Sequence, residues 1–258
     1  MTGTSHDPLP KPGIFHTLRV WLDYYINGML DFILTPRCVS CHAPLGYFCH
    51  HCIRRIQYIQ KPYCLRCGQP LTHGTLCHAC RRGRFHHLDM ARAVAVFSSP
   101  LREAIHHFKY RHNLRLMPIL GDLMAWRVRP NALEDYVLVP VPLHPSREKD
   151  RGYNQAALLA RHLGKRLDLP VLENALIRAK ETQPQVTLGF RDRMKNVRDA
   201  FTVALPEQVR GRHILLIDDV MTTGSTLEAS ARALKEAGAE HVRAYVLARA
   251  LYKELGRK

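Results

Sequence analysis

The 258 residues predict an α/β fold: an open, mainly parallel sheet with flanking helices, preceded by a small metal-held module. Three observations carry this. All eight cysteines fall between Cys38 and Cys80, in four Cys-x-x-Cys pairs. After them, apolar strand-like runs alternate with helical patterns. The third is the run Ile214-Leu215-Leu216-Ile217-Asp218-Asp219-Val220-Met221-Thr222-Thr223-Gly224-Ser225-Thr226. It reads as a buried strand stopping at two carboxylates, then a small hydroxylated loop, then a helix marked by Leu227, Ser230, Ala231 and Leu234.

An apolar fraction of 46% is ordinary for a globular chain, and the length suits one large domain or two modest ones. The charge is not ordinary: 38 Lys and Arg against 22 Asp and Glu leave a net +16, spread along the chain. Such a surface attracts polyanions, either nucleic acid or a pyrophosphate substrate. Residues 1–13 are polar and proline-rich, and predict a disordered tail without a secretory signal. Residues 14–35 predict an amphipathic helix, with Leu18, Leu22, Tyr25, Met29 and Ile33 at helical spacing. Arg19, Asp23 and Asp31 interrupt the run, which argues against a membrane span. Its slightly negative charge argues against a helix lying on a membrane. Packing on the protein's own core, or on a partner, is the expected role.

Residues 36–84 form the cysteine module: Cys38/Cys41, Cys49/Cys52, Cys64/Cys67 and Cys77/Cys80. Two thiolates in one tight knuckle bind one metal, and two knuckles complete a tetrahedral site. Gly68 suits the sharp turn after Cys67. The segment is too short and too poor in large apolar residues to fold by burial alone. Without an export signal its thiols stay reduced in the cytoplasm, which favours zinc over disulfides. Two structural zinc ions are expected, because a four-thiolate site is closed. The simplest pairing is sequential. An interleaved pairing fits the spacing too, an iron–sulfur cluster is a minor alternative, and nearby histidines are bystanders. Cys64→Ser is expected to unfold the module and leave the rest largely intact.

Residues 85–258 form the main domain, with a core at about 135–250. Residues 91–97 alternate like a strand. A helix follows from near Pro100, with Leu101, Ile105 and Phe108 on its inner face. Its other face carries His106, His107, Lys109, Tyr110, Arg111 and His112. With Arg115, the residues Lys109, Tyr110 and Arg111 are candidates for single-stranded nucleic acid, since rings among cations suit stacked bases and phosphates. A second helix is expected over 115–128. The apolar strand 136–142 ends in prolines, and the loop that follows holds His144, Arg147, Lys149, Arg151 and Gly152. A helix is expected from Tyr153 to Leu167. Short strands at 175–178 and 201–205 bracket the irregular stretch 180–200. The chain closes with strand 213–217, helix 226–237 and strand 241–248.

The carboxyl end of a strand in an open sheet is where ligands sit. N–H groups of the loop Met221, Thr222, Thr223, Gly224, Ser225 and Thr226 at a helix start favour a phosphate. Asp218 and Asp219 suit sugar hydroxyls, or magnesium beside a second phosphate. Together they describe a phosphorylated ribose. A phosphate-accepting receiver domain also ends a strand in two acids, but the TTGST loop fits it poorly. The plain alternative is a helix capped by Ser225 or Thr226.

This segment resembles the ribose-phosphate motif of type I phosphoribosyltransferases. That likeness implies that Asp218 and Asp219 hold the ribose hydroxyls and 222–226 cradle its phosphate. It implies that Val141, Pro142 and Leu143 approach the pyrophosphate of phosphoribosyl pyrophosphate, which comes with magnesium. Arg151, Asn154 and Gln155 would reach anionic oxygens. A hood over 180–200, with Lys180, Gln185 and Arg191, would close over the substrate. Cysteine pairs followed by VPVPLHP, RGYNQ, TQPQ and IDDVMTTGST resemble the ComF family, also called ComFC or GntX-like. That resemblance implies a cytoplasmic bacterial protein of natural transformation and DNA use, with competence helicase or recombination-mediator proteins as partners. It leaves two roles. One is binding of phosphoribosyl pyrophosphate or a nucleotide together with single-stranded DNA. The other is (amido)phosphoribosyl transfer to an unidentified acceptor; an N-terminal cysteine nucleophile for releasing ammonia from glutamine is not seen.

Overall fold

The computed structural model describes residues 35–44, 46–128, 133, 135–178 and 200–251. The tail 1–13, the amphipathic segment through residue 34, and Lys180, Gln185 and Arg191 lie outside the described residues. Among the described residues no helix is long and apolar enough to cross a membrane.

Two short helices, α1 (His50–Arg54) and α2 (His78–Arg81), each open directly after a cysteine, Cys49 and Cys77. Then follow β1 (Met90–Val96), α3 (Leu101–Tyr110), α4 (Leu116–Arg127), β2 (Tyr136–Pro140), α5 (Pro145–Arg151) and α6 (Gln155–Leu167). The chain continues through β3 (Leu176–Arg178), β4 (Phe201–Val203), α7 (Pro206–Val209), β5 (His213–Met221), α8 (Ser225–Glu236) and β6 (His241–Arg249). Four strands form one sheet in the order β1-β6-β5-β2, and every neighbouring pair is parallel. β3 and β4 form a separate antiparallel pair.

Strands buried on both faces need apolar residues in both phases of the pleat. β5 meets this with Leu215 and Ile217 in one core and Ile214 and Leu216 in the other. α3, α4 and α6 cover the first face, where Phe108, Leu120 and Leu163 are fully buried. α8 covers the second with Leu227, Ala231 and Leu234.

The cysteine module does not stand apart from this domain. Cys38 and Cys52 belong to the first core, and Cys64, Cys67, Cys77 and Cys80 to the second. The two halves of the module therefore straddle the sheet. The segment between them runs along the outer edge of β1: the Ile59 N–H donates to the Val94 carbonyl at 3.1 Å, and the Val96 N–H to the Gln57 carbonyl at 2.9 Å. The opposite edge is covered too, since Leu138 of β2 exchanges two 2.9 Å bonds with Pro170 and Leu172.

Three expectations need correction. β5 does not stop at Ile217. It runs through both acids to Met221, because Val220 and Met221 pair with Ala248 and Arg249 of β6. The charged stretch after Leu143 is not all loop but holds α5, with Pro145 in its first turn and His144 accepting from the Ser146 N–H. α6 starts at Gln155 and not Tyr153, because Asn154 caps it, accepting from Ala156 N–H at 2.9 Å.

Candidate functional site

β2 and β5 are neighbours, so their carboxyl ends deliver two loops to one place. The Val141 N–H donates to the Ile217 carbonyl at 2.9 Å, which sets the Val141-Pro142-Leu143 loop beside the acid pair. The Asp218 carboxylate accepts from the Asp219 N–H at 2.8 Å. Asp219 is buried and faces Lys109 of α3, with Nζ 2.6 Å from its carboxylate. Burial and the Asp219 charge push Asp218 up to about 7, against the pull of Lys109, the Asp219 N–H and Arg178 of β3. One acid is thus held by a lysine, while the other is left poised near neutrality with a guanidinium in electrostatic range.

Beyond Met221 the loop turns at Gly224, whose φ is +80°. A Cβ there would lie 2.9 Å from the Phe85 ring and 2.6 Å from Met221, so only glycine fits. Thr223 Oγ1 and Ser225 Oγ lie 2.8 Å apart, and the first turn of α8 follows at once. The first turn of a helix leaves N–H groups without intrahelical acceptors, which is what an anion cradle requires.

The loop is held from behind by the second half of the cysteine module. Arg84 donates to the Thr223 carbonyl. Arg249, fully buried, donates to the Cys67 carbonyl at 2.8 Å and to Gln69 Oε1 at 3.0 Å, and its Nη1 lies 3.0 Å from the Met221 sulfur. The Glu228 carboxylate of α8 accepts from the N–H groups of His86, His87 and Leu88 at 2.8–3.0 Å. These residues escaped the sequence reading. Arg84 carried a signal only as part of the basic step after Cys80.

The phosphoribosyl transferase domain family matches residues 149–256, and the double zinc ribbon domain family matches residues 29–81. Competence protein F of Haemophilus influenzae is 32% identical over 225 residues, covering 83% of this chain and 97% of that protein. The chain belongs to the ComF family. DNA utilization protein YhgH of Escherichia coli is 33% identical over 225 residues with the same coverage. Competence protein ComFC of Bacillus subtilis is 29% identical over 214 residues, covering 80% of this chain and 85% of that one. Among solved structures, a glutamine phosphoribosylpyrophosphate amidotransferase from B. subtilis superposes with a TM-score of 0.35 at 21% identity, over 50% of this chain and 25% of its own.

In this ComF chain the cysteines gather into two tetrads, and the pairing is sequential: Cys38, Cys41, Cys49 and Cys52, then Cys64, Cys67, Cys77 and Cys80. Sulfurs stand 3.5–3.7 Å apart in the pairs Cys38/Cys52, Cys41/Cys49 and Cys67/Cys77. That is too far for a disulfide. It is close to the edge of a sulfur tetrahedron around zinc, about 3.8 Å for a Zn–S bond of about 2.3 Å. Burial raises the Cys38 and Cys64 thiols, but knuckle N–H groups outweigh it and hold them at about 6 and about 7. Burial pushes Cys52, Cys67 and Cys80 up instead, so only Cys38 and Cys64 lean toward the thiolate that a metal takes. The second tetrad adds an argument from charge. Four thiolates on a divalent zinc carry a net double negative charge, and two buried guanidiniums, Arg84 and Arg249, lie within electrostatic range of its thiols. The residues present fit zinc.

The other expected site residues of this ComF chain have occupations of their own. Asn154 caps α6 and donates to the Val141 carbonyl at 3.1 Å. Arg151 donates to buried Gln155 at 3.0 Å and lies over the Tyr110 ring at 4.8 Å. Lys109 is turned toward the acid pair and not outward with Arg111. Arg115 is half-buried at the start of α4, beside a cleft of about 460 Å³ shared with Tyr47 and Arg111.

Proposed function

We propose that this ComF-family chain serves competence and DNA uptake in the cytoplasm. It binds phosphoribosyl pyrophosphate with magnesium, or a nucleotide, in the pocket at the carboxyl ends of β2 and β5. Single-stranded DNA occupies its basic surface. One observation carries the pocket reading: two adjacent carboxylates sit near the carboxyl end of parallel strand β5, beside a loop that turns at Gly224 and opens α8. The carboxylates accept from ribose hydroxyls, and the loop N–H groups take the terminal phosphate. Magnesium would neutralise the pyrophosphate, and two carboxylates are the hard oxygen donors it prefers. The names of the relatives, competence and DNA utilization proteins, support the wider role.

A ligand that binds only the native state raises the thermal midpoint. Phosphoribosyl pyrophosphate with magnesium is expected to do so, and Asp218→Asn to remove most of the shift while preserving shape. An unchanged shift in that variant overturns the assignment.

Transfer is the second reading, and the flanking cations favour it. Lys109 pairs with Asp219 and Arg178 lies in electrostatic range of Asp218, and departing pyrophosphate needs positive charge. An acceptor nucleophile would attack the anomeric carbon as that bond to pyrophosphate breaks. Release of labelled pyrophosphate in the presence of candidate acceptors tests it.

A further inference from the structure

A second cleft lies apart from the proposed ribose-phosphate site. It holds about 690 Å³, the size of a ligand site, and opens at the amino-terminal half of the sheet. Four cations line it from four separate segments: Lys61 before the second tetrad, Arg92 on β1, Arg127 at the end of α4 and Arg243 on β6. No carboxylate lines it among the described residues, and none of the four cations makes an ion pair there. Two aromatic rings complete the lining. Tyr63 lies under the Arg92 guanidinium at 5.0 Å, and Trp126 is 71% exposed, with Arg127 5.8 Å from its ring.

Arg92 also lies in range of the Cys64 and Cys67 thiols, and Arg127 donates to the Ile59 carbonyl at 2.9 Å. Four cations with no carboxylate among the described lining still leave the cleft complementary to an anion. An exposed tryptophan at its rim offers a π-face to a base. The alternative seat, the outer face of α3, is weaker than its sequence suggests, because Lys109 is spent on Asp219 and one face of the exposed Tyr110 ring already carries Arg151.

We propose that this cleft seats one or two nucleotides of single-stranded nucleic acid, with a base stacked on Trp126 and backbone phosphates among Lys61, Arg92, Arg127 and Arg243. The inference rests on the single-strand part of the function proposed above, and gives that strand a place away from the ribose-phosphate pocket.

The chain has two tryptophans, so Trp21→Phe leaves Trp126 as the sole emitter. An oligothymidylate about ten nucleotides long should quench that emission saturably, since every base has a stacking face. Lys61→Gln with Arg243→Gln should flatten the dependence of log affinity on log salt by about 1.4, at roughly 0.7 per lost phosphate contact on single strands. Trp126→Ala should weaken the strand about tenfold or more. The thermal shift given by phosphoribosyl pyrophosphate should persist in all these variants, which shows that they fold. Strand binding without a change in Trp126 emission overturns the cleft and spares the single-strand reading. Thymidine monophosphate quenching as tightly as the oligomer overturns the strand in favour of a free nucleotide. No binding at low salt overturns the cleft and the single-strand reading together.

Discussion

Burial and the neighbouring Asp219 carboxylate raise the Asp218 carboxyl to about 7. A carboxyl whose folded value lies near 7, above its unfolded value, favours the native state at low pH. That contribution fades as pH rises through about 7. Ligand binding runs the other way, since ribose hydroxyls need an acceptor carboxylate. Phosphoribosyl pyrophosphate with magnesium is therefore expected to bind up to about tenfold more tightly at about pH 8 than at about pH 6, with the trend absent in Asp218→Asn. Calorimetric titration at the two pH values checks it. Lys109 makes a second prediction at this scale. Its side chain is 18% exposed and that of Asp219 is 8% exposed, so removing one leaves the other poorly solvated. Lys109→Met should cost about 2–4 kcal/mol in a denaturant melt, and adding Asp219→Asn should recover much of that. The sequence carries the clue. Lys109 is four residues after Ile105 and eight after Leu101, on the buried stripe of α3, but a lysine invites placement in water.

Elements were legible where one segment specifies itself. The Ile-Leu run of β5, the apolar stripe of α6 and the paired cysteines each state their structure in a short window. α5 did not, because it buries no residue and so has no apolar period. The last four residues of β5 did not either, because only pairing with β6 makes a strand of them. The acid pair and the loop after it were readable as chemistry, whereas the props behind that loop come from residues more than a hundred positions away. Those props alter what a cysteine substitution does. Cys64→Ser was expected to spare the main domain; the second tetrad instead shares a core with β5 and α8. Cys64→Ser should therefore abolish the thermal shift given by phosphoribosyl pyrophosphate. Cys41→Ser, at the exposed corner of the first tetrad, should leave a measurable part of it.

For the whole molecule, two zinc ions per chain are expected by elemental analysis of protein purified without chelator. One or none, with free thiols, would sink both tetrads as metal sites. The chelator should strip the first tetrad sooner, since Cys41 is exposed and all four cysteines of the second are buried.

The run of chain between the tetrads has a further consequence. Residues 57–59 bond the outer edge of β1, and residues 170–172 do the same for β2, so neither rim of the sheet offers a template to another molecule. The first cover is anchored at both ends by cysteine clusters. Zinc-stripped protein should then lose it before the sheet melts, exposing a sticky border while strands are still intact. Its failure under chelator would be clumping rather than clean unfolding, visible as light scattering that rises with protein concentration before helical circular dichroism is lost.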